Sequence, residues 1–308
     1  MLAAVDVGSN TVRMLLGDVR NGAIMPIRYV RHVTRLAGGS DPRLGLAGQS
    51  MNNTLTALGE MAEAIKTSGA DRVRVVGTEA LRRATNGSDF ARRVEENTGL
   101  QLEIIDGEVE ACLSCKGVFA ALDPRPDRCL MFDIGGGSTE FVLYVDGRIM
   151  FQRSYPLGVV DLCEKYSDPV NQQIYIGSIL DRVADDLTLS SLLDTVLASS
   201  TMLVGTAGTV TTLAAIKLRM TVYDGLLVNN LNLYPDELAS LLHHLKPLSD
   251  SQREQIPGLE KGRGDLIVPG IRIVQGIFGR FQKDVLKVSD FGLLEGLLLT
   301  MAEEQSLS

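Results

Sequence analysis

Histidine and cysteine are both scarce in this 308-residue chain: three histidines (His32, His243, His244) and four cysteines (Cys112, Cys115, Cys129, Cys163). The histidines show no metal-ligand spacing. Cys112 and Cys115 form a C-x-x-C inside a helical stretch with no second pair, which favours helix packing over a zinc or redox site. So few thiols at this length fit a reducing, cytoplasmic setting. Long apolar runs are missing as well. Stretches such as FGLLEGLLLTMA are interrupted and too short to cross a bilayer. The opening MLAAVDVGSN has no basic segment before Asp6, so a signal peptide is not expected. Positive charge is in deficit, with a net charge of −8. General nucleic-acid binding is therefore not expected, and an anionic substrate would need a local basic patch. No Gly-Lys-Ser/Thr follows any glycine turn, which excludes a Walker phosphate loop. What remains is an ordinary globular composition, 45% hydrophobic and 22% charged, at a length that suggests two domains.

The chain does have an internal repeat. DVGSNTVRMLLGDVRNGAI, from Asp6, lies over DIGGGSTEFVLYVDGRIM, from Asp133. Each copy opens with Asp, a β-branched residue and Gly. Each runs through small polar residues into an apolar segment. Each then meets a hairpin signal, Asn21-Gly22 or Asp146-Gly147, of the kind that favours a type I′ turn. Both copies thus read as strand, glycine turn, strand, tight turn, strand. DRVRVVGT and LQLEIID read as buried strands. They flank helices near Thr54–Lys66 and Asp89–Glu96, the second with Ser88 as its N-cap. GEVEACLSCKGVFAAL reads as a helix ending before the hinge-like DPRPD. TMLVGTAG reads as strand into glycine turn, TVTTLAAIKL as the helix after it, DVLKVSDFG as the last strand and LLEGLLLTMAEE as the final helix.

Three strand-to-glycine turns result: Gly8, Ser9, Asn10 and Thr11; Gly135, Gly136, Gly137, Ser138 and Thr139; and Gly208 with Thr209. Glycine in a strand or helix packs nothing and weakens the element. Backbone N–H groups in such turns form anion-binding nests, and Ser and Thr hydroxyls add donors. The third turn also opens a helix, whose N-terminus favours a phosphate. Any one turn could be a plain hairpin; three together point to phosphate. Asp6 and Asp133 end apolar strands beside the first two. Carboxylates facing phosphate are bridged by a hard cation such as Mg²⁺. The alternative is that each aspartate only caps its turn.

These residues carry a resemblance. DVGSNTVRMLL, GTEALRRATN, GEVEACLSCKGVF, DIGGGSTEFV, GTAGTVTTLAA and GLLEGLLL follow in the order seen in the exopolyphosphatase / guanosine pentaphosphate phosphohydrolase family, over nearly the whole chain. The resemblance implies an α/β fold of duplicated, ribonuclease H-like domains in the actin, sugar-kinase and Hsp70-like superfamily, with the phosphate chain in an interdomain cleft. It implies a first domain over 1–123, a second over 124–290, and a final helix over 291–308 packing back on the first. It implies a phosphoanhydride hydrolase that releases terminal orthophosphate from inorganic polyphosphate or guanosine pentaphosphate, with Mg²⁺. The family's catalytic glutamate falls on Glu110, and the glutamate closing DIGGGSTE, Glu140, is expected to be catalytic with it in activating water. Two family arginines fall on Arg82 and Arg263, as phosphate contacts. Asp133, Glu140 and Asp6 are the expected Mg²⁺ contacts. The chemistry suits such a set, because hydrolysis needs a carboxylate to orient water and donors to hold charge on the transferred phosphoryl group.

Two family arginines are replaced, by Cys112 and by Leu294. Arg31, Arg35, Arg83 and Arg93 are candidate substitutes, against the simpler reading of solvated surface charge. With the sequence ending at Ser308, the additional C-terminal helical domains of the family's long members are not expected. Two other functions stay open at this level: an ATP-dependent kinase of the same superfamily, and a non-catalytic sensor of polyphosphate or a guanosine alarmone. Glu110 with the GGGSTE glutamate argues for water as acceptor. Neither membrane nor nucleic acid is expected as a partner. Polyphosphate and guanosine pentaphosphate are not distinguished, and a homodimer is left open.

Overall fold

The computed structural model describes residues 1–41 and 43–307, with the side chains of residues 226, 306 and 307 outside the description. The chain divides into two compact units, Met1–Ala120 with Phe291–Ser308, and Ala121–Asp290.

The first unit holds β1 (Leu2–Val7), β2 (Thr11–Arg20), β3 (Ala23–Val33), α1 (Gly48–Ser68), β4 (Arg72–Gly77), α2 (Glu79–Arg83), α3 (Gly87–Thr98), β5 (Leu102–Ile104) and α4 (Gly107–Ala121). The C-terminal helix α13 (Leu293–Leu307) also belongs to it. Its sheet order is β3-β2-β1-β4-β5. The first three strands are antiparallel, and β4 and β5 run parallel to β1. Alternation along β1 and β2 sends Val5, Val12, Met14 and Leu16 to a core under α1 and α3. It sends Leu2, Ala4 and Leu15 to a second core with Leu113, Leu294, Leu297 and Leu298. Helices α4 and α13 touch through glycine: a Cβ on Gly117 would stand 1.9 Å from the Gly292 carbonyl oxygen, and one on Gly296 1.9 Å from that of Leu113. Only glycine permits that approach. Helix α3 begins earlier than its sequence suggests. Its N-cap is Asn86, without a side-chain cap bond, so Ser88 lies inside the first turn and is not the cap. The Asn86 amide is used elsewhere, donating to Leu46 O and accepting from Leu46 N.

The second unit holds β6 (Arg128–Ile134), β7 (Thr139–Val145), β8 (Arg148–Tyr155), α5 (Val159–Lys165), α6 (Pro169–Leu189), α7 (Leu193–Leu197), β9 (Met202–Thr206) and α8 (Ala207–Lys217). It continues with α9 (Gly225–Val228), β10 (Asn232–Leu233), α10 (Pro235–Leu245), α11 (Asp250–Arg253), α12 (Ile267–Phe281) and β11 (Leu286–Val288). Its sheet order, β8-β7-β6-β9-β11-β10, repeats that of the first unit with one added edge strand. The pairing repeats too, antiparallel for β8-β7-β6 and parallel for β6-β9-β11. This is the ribonuclease H-like order present twice, the duplicated α/β fold of the actin-like superfamily expected from the sequence. Phe132, Phe141, Tyr155 and Phe281 fill the core under α6 and α12. Phe141 sits edge-on to Tyr155 at 5.9 Å. Truncating such a buried ring costs about 3–5 kcal/mol.

Both hairpins close as their sequences imply. Asn21 and Gly22 have φ of 52° and 76°, and Asp146 and Gly147 of 46° and 91°. That pair of positive φ values defines the type I′ turn. Each hairpin also contains a β-bulge, with Ile27 extra opposite Leu16/Gly17 and Met150 extra opposite Leu143/Tyr144. Among the described residues no helix is long and apolar enough to cross a membrane.

Candidate functional site

The first two glycine turns are built alike. Gly8 N donates to Thr11 O at 3.0 Å, and Gly135 N to Ser138 O at 2.9 Å. The segment after the third strand then satisfies the turn carbonyls. In the first unit Thr34 N and Arg35 N donate to Asn10 O, and Ala37 N to Ser9 O. In the second, Val159 N donates to Gly135 O, and Val160 N and Asp161 N to Gly136 O. With the carbonyls tied back, the amides of Ser9, Asn10, Gly136, Gly137 and Ser138 have no protein acceptor among the described residues. Rows of N–H groups held this way are anion nests.

Beside each turn, one rung of the sheet carries the polar residues. In the second unit Thr206, Asp133, Glu140 and Ser154 stand directly opposite one another on β9, β6, β7 and β8. Directly opposed residues share a face, so two buried carboxylates, Asp133 at 9% and Glu140 at 2% exposure, lie side by side. Glu140 Oε1 accepts from Ser138 Oγ at 2.7 Å and from Ser154 Oγ at 2.6 Å. The matching rung of the first unit is Asp6, Arg13 and Arg31. There Arg13 neutralises Asp6, with Nε at 2.9 Å and Nη2 at 2.5 Å from Oδ2. The other oxygen, Asp6 Oδ1, is buried without a hydrogen-bond partner, as is Asn10 Oδ1. Opposed carboxylates and an orphaned carboxylate oxygen both suit a hard cation with oxygen ligands. Among the described residues no group of three or more His, Cys, Asp or Glu could hold a metal ion alone.

The third turn meets Arg263. Ala207, at the start of α8, has φ of 64°, a conformation unusual for a residue with a side chain. The first amides of α8 have no intrahelical acceptor. The Arg263 guanidinium lies directly on this turn, so close that a Cβ on Gly208 would stand 2.2 Å from Nη2 and 2.5 Å from Nη1. Its side chain is 11% exposed and 3.4 Å from Glu260. A cation is thus stationed at a helix N-terminus, where an anion is already favoured.

Arg82 and Glu110, assigned separately from the sequence, form one ion pair in the first unit. Arg82 Nη1 is 2.7 Å from Glu110 Oε2 and donates to Ile105 O at 3.0 Å, while Nη2 donates to Glu79 Oε2 at 2.8 Å. Burial opposes the Arg82 charge, but Glu110 and Glu79 outweigh it and its pKa is raised. Glu110 lies in the first turn of α4, capped by Asp106 Oδ1, which accepts from Val109 N at 2.7 Å. A negative charge is favoured at that end of a helix.

Comparison with known proteins decides the family. A family model described as the Ppx/GppA phosphatase family matches residues 16–305. The chain belongs to this family. An exopolyphosphatase 2 of Mycobacterium tuberculosis is 30% identical over 98% of this chain and 98% of its own length. A guanosine-5′-triphosphate,3′-diphosphate pyrophosphatase of Vibrio cholerae is 28% identical over 99% of this chain and 60% of its own length. The crystal structure of the Aquifex aeolicus Ppx/GppA family member superposes with a TM-score of 0.80 at 28% identity, covering 100% of this chain and 99% of the other.

The Ppx/GppA reading of two replaced arginines also acquires a physical side. Leu294 is 3% exposed in the apolar core around α13, where a guanidinium would be buried among leucines. Cys112 is a free, exposed thiol on α4. Three residues escape a reading of the motifs: Arg13 on Asp6, Glu79 on Arg82, and Ser154 on Glu140. The first and last depend on strand register, and Glu79 is separated from Arg82 by a helical turn.

Proposed function

We propose that this chain is a phosphoanhydride hydrolase that releases terminal orthophosphate from inorganic polyphosphate or guanosine pentaphosphate, with Mg²⁺ as its ion. The observation that carries the reading is the second glycine turn. Its free amides at Gly136, Gly137 and Ser138 stand beside the paired carboxylates Asp133 and Glu140. Amides bind phosphate oxygens, and carboxylates do not face phosphate without a cation.

In this reading the nests at Gly8–Thr11 and Gly135–Thr139, the α8 terminus at Gly208 and Thr209, and Arg263 hold phosphate oxygens. Asp133 and Glu140 would hold the Mg²⁺. Once bound, the ion neutralises charge on the phosphate oxygens. Glu110 is the base that orients and deprotonates water, and the ion pair with Arg82 fixes its carboxylate. A base within hydrogen-bond reach of water contributes about 10²–10⁴-fold.

The test is phosphate release from both substrates, with and without Mg²⁺, by the wild type and by Glu110→Gln. The expected result is Mg²⁺-dependent release that falls about 10²-fold or more in Glu110→Gln, with substrate binding retained. Glu110→Gln turnover within a few-fold of wild type refutes the base assignment. No phosphate release from either substrate refutes the hydrolase reading.

A further inference from the structure

The geometry points to Ser154 as a positioning residue for Glu140, and so for phosphate hydrolysis. This rests on Glu140 being part of the reacting site, as proposed above. Ser154 lies outside the glycine turn, on the edge strand β8. Its hydroxyl donates to Glu140 Oε1 at 2.6 Å, on the same oxygen that Ser138 Oγ reaches at 2.7 Å. Two hydroxyls, one from the glycine turn and one from β8, converge to fix both the rotation of the carboxylate and which oxygen is engaged. A side chain with several rotatable bonds is otherwise free to turn, and active-site geometry tolerates little of that.

The backbone is shaped to deliver this serine. Counting back from the Asp146-Gly147 turn without interruption, Arg153 would stand opposite Glu140. The bulge at Met150 shifts the register by one, so Ser154 takes that place. A one-residue slip in a strand exchanges its faces. Arg153 is thereby carried to the other face, where its Nη1 pairs with Asp186 Oδ2 at 2.6 Å. Tyr155, also on that face, donates its hydroxyl to the same Asp186 oxygen at 2.6 Å. Asp186 on α6 thus clamps β8 on both sides of Ser154. An edge strand has a neighbour on one side only, and this clamp supplies the hold that a second strand would give.

The experiment compares wild type, Ser154→Ala, Ser154→Thr, Glu140→Gln and the double variant Ser154→Ala/Glu140→Gln, with inorganic polyphosphate as substrate. Circular dichroism and melting temperature are measured for each. The inference expects Ser154→Ala to lower kcat about tenfold with KM within twofold, because the carboxylate is left free to turn. Ser154→Thr, which keeps the hydroxyl, restores kcat. The double variant loses no more than Glu140→Gln alone. If Glu140→Gln is inactive while Ser154→Ala matches wild type, this inference fails and the reading of Glu140 stands. If Glu140→Gln is itself fully active, the reading beneath it fails. If Ser154→Ala loses activity only in step with its melting temperature, and Ser154→Thr does not restore kcat, Ser154 is merely structural and the inference is overturned.

Discussion

The contact between Gly208 and Arg263 allows a substitution whose effect can be worked from distances. Gly208 is not in the left-handed region, so alanine is tolerated there by the backbone. Its Cβ, however, would meet Arg263 Nη2 at 2.2 Å, Nη1 at 2.5 Å and Cζ at 2.7 Å. Non-bonded heavy atoms settle near 3.5 Å, so the guanidinium must retreat by about 1.3 Å. The atoms that move are the far end of a long, flexible side chain. We therefore expect Gly208→Ala to cost under about 1 kcal/mol of stability, about 2–4 °C in Tm. The effect on catalysis should be larger. A displacement of about 1 Å in a group that holds substrate costs about 10²-fold, or about 2.7 kcal/mol in the barrier.

The assay is kcat/KM for phosphate release, with a thermal melt beside it. Gly208→Ala should lower kcat/KM about 10²-fold while the melt stays near wild type. Arg263→Ala should do the same, and the double variant should lose little more than either alone, because both changes remove one interaction. Gly158 is the contrasting case. A Cβ there would stand 2.1 Å from Gly136 O and 2.3 Å from Gly137 N, which are backbone atoms of the second turn. Backbone cannot swing away, so Gly158→Ala should lower the melt as well as activity. If Gly208→Ala keeps full kcat/KM, the Arg263 guanidinium is not a phosphate contact. Losses that simply add in the double variant would mean that Gly208 acts through something other than Arg263.

Two further outcomes follow from the same site. Asp133→Asn should raise the Mg²⁺ concentration needed for half-maximal activity, and an unchanged Mg²⁺ titration would assign Asp133 to turn capping instead. With Leu294 buried, Cys112 in place of arginine and a net charge of −8, few cations remain to grip a long polyanion. Gel-resolved digestion of long polyphosphate should then give a smoothly shortening ladder. Full-length chains persisting beside free phosphate, with no intermediates, would refute distributive action.

Much of the fold was legible because it rests on local chemistry. Asn21-Gly22 and Asp146-Gly147 specify their turns by themselves, since few residues adopt positive φ twice in succession. The Asp-x-Gly openings repeat because two copies of one turn need the same backbone freedom. The helix boundaries were less legible. Ser88 looks like an N-cap in isolation, but tertiary contacts of Asn86 with Leu46 set the start of α3 two residues earlier. The pairing of Arg82 with Glu110 was also hidden, although both residues were singled out. They lie on different helices, and only the packed structure brings them to 2.7 Å.

The bulges mark where sequence reading stops. Ile27 and Met150 are ordinary strand residues with nothing to announce that the ladder skips them. Yet each shifts its hairpin by one and so decides which residue faces the turn aspartate's rung. In the first unit the rung carries two arginines, Arg13 and Arg31, and Asp6 is neutralised by one of them. In the second unit it carries a second acid and a serine. One ancestral geometry thus has two electrostatic outcomes. Arg13 opposite Asp6 occupies the place that Glu140 occupies opposite Asp133. At this rung the two halves therefore differ in side-chain charge, while the order and pairing of the surrounding strands match.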